Sequence, residues 1–126
     1  MFADIALHAT LPATDFGRAK AWYAEKLDLL PIAEDDQPGG AWYESGGVRF
    51  LLYQSTFAGT NRATAASFAV DDFAAAVAFL RERGVTFEEY DFGDFKTENG
   101  VLTLPDGNQG AWFQDSEGNV LAISTM

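Results

Sequence analysis

Gly110-Ala111-Trp112-Phe113-Gln114-Asp115-Ser116-Glu117-Gly118-Asn119-Val120-Leu121-Ala122-Ile123 closes the chain with wording that occurs once before. The echo is Gly40-Ala41-Trp42-Tyr43-Glu44-Ser45-Gly46-Gly47-Val48-Arg49-Phe50-Leu51-Leu52. In both copies Gly-Ala-Trp-aromatic runs into a polar, Gly-bearing turn and out into an apolar run, which predicts a hairpin of two strands. The hairpin is therefore expected twice, and the segments upstream of each copy extend the repeat.

Upstream of the first copy, residues 5–11 alternate loosely and predict a strand stopped by Pro12. Leu7, Ala9 and Leu11 fall on one face; Ala6, His8 and Thr10 fall on the other. Thr14-Asp15 supply an N-cap, and Phe16, Ala19, Tyr23 and Leu27, widened by Trp22, recur at helical spacing. Pro31 leads into a short strand at 32–33, and an acidic turn containing Asp35, Asp36 and Pro38 precedes the first hairpin. Its outgoing strand, 48–53, is apolar on both faces and is expected to be covered on both. Residues 55–62 read as a linker.

The second half repeats the order. A strand at 65–70 is followed by an Asp71-Asp72 cap and a helix face of Phe73, Ala76, Val77 and Leu80. Gly84 follows it as the residue past the C-cap, after the favourably placed cations Arg81 and Arg83. Asp15-Phe16 and Asp72-Phe73 align at an offset of 57, whereas the Gly-Ala-Trp triplets align at 70. The second copy has thus gained thirteen residues within 88–107. There Tyr90, Phe92 and Phe95 are interleaved with acids, as a lid over a pocket or as loop anchors on the core. A short strand is expected at 101–104.

The 126 residues suit one compact unit, and the absence of Cys excludes disulfides, thiolate metal sites and a Cys nucleophile. Metal binding through His or carboxylates remains open. No apolar run approaches a membrane span and the first residues lack a signal peptide's basic region, so a cytoplasmic soluble protein is expected. Nineteen acidic against eight basic residues give a formal charge of -11, which disfavours nucleic acid and anionic membranes as partners. The acidity is read as serving solubility, with attraction of a cationic ligand as the alternative.

Strand, helix and three strands performed twice resembles the vicinal oxygen chelate superfamily of glyoxalases, extradiol dioxygenases, fosfomycin-resistance enzymes and bleomycin-binding proteins. The resemblance rests on His8 followed by Asp15-Phe16 and Trp22-Tyr23, on Val70-Asp71-Asp72, and on Asp115-Ser116-Glu117-Gly118-Asn119. It implies an α+β fold with one domain over 1–126. Two βαβββ modules, about 1–58 and 63–126, form a curved, cup-shaped mixed sheet with helices outside. In metal-dependent relatives four ligands line the cup, one from the first and one from the last strand of each module. Those positions match His8, Leu51, Ala65 and Ala122. A divalent cation needs at least three imidazole or carboxylate ligands, so the resemblance implies a dismantled metal site, and no metal or cofactor is expected.

A cup built on this plan is lined by His8, Thr10, Arg49, Leu51, Tyr53, Ala65, Ser67, Ala69, Val120, Ala122 and Ser124, with Trp112 available to stack on a planar ligand. His8 is a candidate general base or hydrogen-bond donor, or else a histidine bonded to a neighbouring hydroxyl or backbone group. Arg49 is expected to pair with Glu44 or another acid; the alternative is a clamp on a carboxylate or phosphate. For Trp42 and Trp112 the expectation is a paired structural role. No phosphate loop, nucleophile elbow or His-Glu-x-x-His pair is present. The reading is a metal-independent protein, expected as a homodimer, that binds a small organic molecule; sequestration of a cationic drug is one version. The alternative is an enzyme of the glyoxalase, dioxygenase or isomerase type, using His8 or a metal completed by the 88–98 segment or a partner chain.

Overall fold

A computed structural model of the protein describes residues 1–34 and 39–125. The acidic turn expected at Asp35, Asp36 and Pro38 lies outside the described residues.

Two four-stranded mixed sheets follow one plan. The first contains β1 (Thr10–Ala13), β2 (Ala33–Glu34), β3 (Gly40–Ser45) and β4 (Val48–Gln54) in the order β1-β4-β3-β2. The second contains β5 (Thr64–Ala69), β6 (Leu102–Thr103), β7 (Gln109–Gln114) and β8 (Val120–Ser124) in the order β5-β8-β7-β6. In each sheet the first strand runs parallel to the last and the remaining pairs are antiparallel. The fold is α+β, as expected.

The helices form where the caps and stripes predict. α1 (Phe16–Leu27) begins at Asp15, whose carboxylate accepts from the Arg18 amide at 3.0 Å. It ends at Asp28 in the left-handed region, φ 57°, three residues before Pro31. α2 (Phe73–Glu82) begins at Asp72, which accepts from the Ala75 amide at 3.0 Å. Ala19 and Tyr23 of α1, and Phe73, Val77 and Leu80 of α2, are the buried positions.

Both helices contribute to one core. Leu11, Ala13, Ala41, Tyr43, Phe50 and Leu52 of the first sheet join Ala111, Phe113, Leu121 and Ile123 of the second in a single apolar cluster with these helical residues. Tyr23 lies 5.8 Å from Tyr43 and 6.2 Å from Phe50, and Trp22 stacks on Phe113 at 6.3 Å, so α1 bridges the two sheets. Burial of this size is what holds a domain together, at about 25 cal/mol per Å² of apolar surface.

Two local expectations are corrected. β1 starts at Thr10, not at residue 5, and Pro12 lies inside it. β1 is an edge strand paired only with β4, so the missing Pro12 N–H costs no ladder bond. Residues 2–4 form a 3-10 turn instead, and Leu7 is 95% exposed. Nor is β4 covered on both faces by the described residues. Phe50 and Leu52 are buried, but Leu51 is half-buried and Tyr53 exposed, because both helices feed the core on the other face.

Candidate functional site

Strand alternation puts the expected cup residues on the sheet faces away from the helices. On the first sheet Thr10, Leu51 and Trp42 form one cross-strand row, Pro12 and Tyr53 the next, and Arg49 stands opposite Glu44. On the second, Ser67, Ala122 and Trp112 form a row, with Ala69, Ser124 and Gly110 beside it. Ala65 is the extra residue at an irregularity between Thr64 and Ala66. No strand of one sheet pairs with a strand of the other, so the twelve candidate residues divide into two groups.

Two cavities collect some of them. A cleft of about 360 Å³ lies where the chain leading into β1 and the start of β4 face the edge strand β5; His8, Arg49 and Ser67 line it. A second hollow of about 190 Å³, on the uncovered face of the second sheet, is lined by Ser67, Trp112, Ala122 and Ser124, with Phe95 at its side. Ser67 belongs to both. Thr10, Leu51, Tyr53 and Ala65 line neither.

His8 precedes β1 and is exposed, its ring packed edge-on against Trp42 at 4.8 Å. No hydrogen bond engages its imidazole among the described residues. The Arg49 guanidinium likewise has no hydrogen-bond or ion-pair partner among the described residues. The pairing with Glu44 is not made, although the two are cross-strand neighbours.

The four positions that the resemblance matches to metal ligands are chemically poor in donors. His8 offers one imidazole, while Leu51, Ala65 and Ala122 offer hydrocarbon. Among the described residues no three His, Cys, Asp or Glu side chains are grouped so as to hold a metal ion. These four side chains do not fit a divalent cation.

The thirteen-residue gain is an ordered hairpin. The Thr97 amide donates to the Tyr90 carbonyl at 2.9 Å, the Tyr90 amide to the Thr97 hydroxyl at 2.8 Å, and the Phe92 amide to the Phe95 carbonyl at 2.8 Å. Thr97 is buried at its root. Tyr90, Phe92, Phe95 and Trp112 close a circuit of rings with neighbouring centroids 5.6 to 6.2 Å apart. Burial, aided by the nearby Glu88 charge, raises the Tyr90 phenol pKa. Trp112 therefore anchors the segment, while Phe92 at its tip is 72% exposed.

The closing turn carries a polar cluster whose role the sequence did not disclose. The Asp115 carboxylate accepts from Tyr23 Oη at 2.7 Å, from Asn119 Nδ2 at 2.8 Å, and from the amides of Glu117 and Asn119. Asn119 Nδ2 also donates to the Pro12 carbonyl at 2.8 Å. Glu117 accepts from Arg18 Nε and Nη2 at 2.8 and 3.0 Å and from the Asp15 amide at 2.9 Å. Hydrogen bonding from Arg18 lowers the Glu117 pKa to about 2, whereas burial and the adjacent Asp115 push the Tyr23 phenol well above its ordinary value. The cluster ties β1 and α1 to the last hairpin. The linker also touches it: a Cβ on Gly59 would meet the Glu117 carbonyl at 2.8 Å. A Tyr in α1 and an acid-rich turn were visible signals, but nothing in their spacing said that they meet.

A sequence model described as Glyoxalase/Bleomycin resistance protein/Dioxygenase superfamily matches residues 5–123. No match to a curated protein was found. Among solved structures, a glyoxalase/bleomycin resistance protein from Catenulispora acidiphila is similar, with 22% identity over 96% of this chain and 97% of that one, TM-score 0.67. Lactoylglutathione lyase from Agrobacterium tumefaciens is similar at 15% identity over 96% and 92%, TM-score 0.70. A bleomycin resistance determinant encoded on the transposon Tn5 is similar at 16% over 94% and 95%, TM-score 0.70. At these identities the structural likeness concerns the fold.

Proposed function

Since this chain belongs to the Glyoxalase/Bleomycin resistance protein/Dioxygenase superfamily, we propose that it holds a small organic molecule against its uncovered sheet faces, without a bound metal. One observation carries the reading: of the four family ligand positions only His8 bears a donor. The two hollows supply apolar walls with a few polar groups, the usual makeup of a small-molecule site. Binding is favoured over catalysis by His8 because no carboxylate orients its imidazole among the described residues. A cytoplasmic setting belongs to the same reading and is compatible with a Cys-free chain. Among the described residues no helix is long and apolar enough to cross a membrane.

The proposal includes a homodimer. A folded monomer of 13.7 kDa is expected to expose about 6,600 Å², and this chain exposes 7946 Å². The excess of about 1,300 Å² exceeds the roughly 800 Å² that each partner buries in a standard interface. The exposed apolar side chains include Val48 at 61% and Tyr53 at 36% on β4, beside Leu7 at 95% ahead of β1.

A thermal-shift screen in the presence of a chelator tests the binding reading. Aromatic acids, 2-oxo acids and cationic drugs form the panel, since a ligand that binds only the native state raises its melting temperature. At least one class is expected to raise it with the chelator present. Shifts that appear only after zinc, nickel, manganese or iron is added would overturn the metal-free reading.

A further inference from the structure

The formal charge of -11 favours a cationic guest only if the acids face the guest, and at the larger cavity they do not. The lining of the 360 Å³ cleft contains no Asp or Glu. It contains instead Arg49 and the sole histidine of the chain, His8, with hydroxyls from Ser45 and Ser67. The remainder is apolar, including Val48 and Phe68. With nineteen acids distributed over 126 residues, a cavity of thirteen lining residues that excludes all of them departs from the protein's overall polarity.

Arg49 is also uncommitted. Its guanidinium has no partner among the described residues, and the adjacent Glu44 does not pair with it. A guanidinium is a planar fork that matches a carboxylate with two parallel N–H donors, and it is less strongly hydrated than an ammonium. One such fork beside an apolar wall suits a single carboxylate on a hydrophobic body. A phosphate dianion needs more donors than one Arg and one imidazole provide.

We infer that the cleft between the start of β4 and the edge of β5 binds a monocarboxylate with an apolar, ring-sized body, its carboxylate held by Arg49 and its body lying against Val48 and Phe68. The inference rests on the small-molecule reading above and sharpens it to a ligand class of the opposite charge to the one net charge suggests. His8, its ring edge-on to Trp42, lines the same cleft as a second polar side chain.

Amide NMR titration of the full chain tests this, with benzoate, benzamide, benzylammonium and inorganic phosphate as probes. Benzoate is expected to shift the amides of Val48, Arg49, Ser67 and Ala69 and to bind on the order of tenfold more tightly than benzamide or benzylammonium, the worth of a charge-assisted hydrogen bond. Arg49→Gln is expected to bring benzoate down to the benzamide level, with the core resonances unmoved because Arg49 is exposed. Arg49→Lys should recover only part of the difference. Equal binding of benzamide and benzoate at these amides would leave the cavity as a binding site and overturn the carboxylate clamp. Phosphate binding as tightly as benzoate would overturn the apolar-body assignment. No shift from any probe would overturn the clamp together with the cavity reading it rests on.

Discussion

Glu117 touches four groups at once: the Arg18 guanidinium, the Asp15 amide, the Ser116 hydroxyl and, through its own amide, the Asp115 carboxylate. Its side chain is fully buried while that of Arg18 is 55% exposed, so the pair is screened on one side only. A carboxylate pKa lowered from 4.5 to about 2 stabilises the fold above the unfolded value and loses that contribution as pH falls from about 4.5 toward 2. Glu117→Gln is therefore expected to cost about 1–2 kcal/mol at pH 7 and distinctly less at pH 3. Urea unfolding at the two pH values measures the gap, and an equal gap at both would contradict the ion-pair account. These contacts join residues 92 to 107 positions apart for Asp115 with Tyr23 and Asn119 with Pro12. Periodicity reports which face of an element is apolar; it carries no information on polar partners at that separation.

Elements were legible where local chemistry decides them. Both helices start at the Asp caps and follow their apolar stripes, and both Gly-Ala-Trp hairpins form as read. The first strand was misplaced because Pro12 reads as a stop, a rule that fails on an edge strand with no partner on its N–H side. Residues 88–98 read as a lid or as loop anchors, and they form a hairpin whose Tyr90 and Phe95 pack on Trp112 while Phe92 stays exposed. The apolar pattern on both faces of β4 read as a strand covered on both, yet the helices cover only the face of Phe50 and Leu52. A second copy is the cover proposed here. Sedimentation velocity at micromolar concentration is expected to give about twice the 13.7 kDa chain mass; a monomer there would contradict it.

Over the whole molecule, one residue of charge information misleads if taken as an average. No acid lines the larger cleft, which keeps Arg49 and His8, while Asp115 and Glu117 are taken up by the polar cluster of the closing turn. Net charge describes solubility and long-range fields, not the polarity of a particular cavity. The proposed site illustrates the same separation of fold from chemistry: residues 5–123 carry the superfamily pattern, while the proposal puts the hydrocarbon side chains of Leu51, Ala65 and Ala122 where a metal would need donors.

Elemental analysis of the purified protein after exhaustive dialysis tests that claim most directly, with His8→Ala run in parallel. The account predicts only traces of zinc, nickel, manganese and iron, unchanged by the substitution. Near-stoichiometric metal that survives dialysis and disappears in His8→Ala would contradict it.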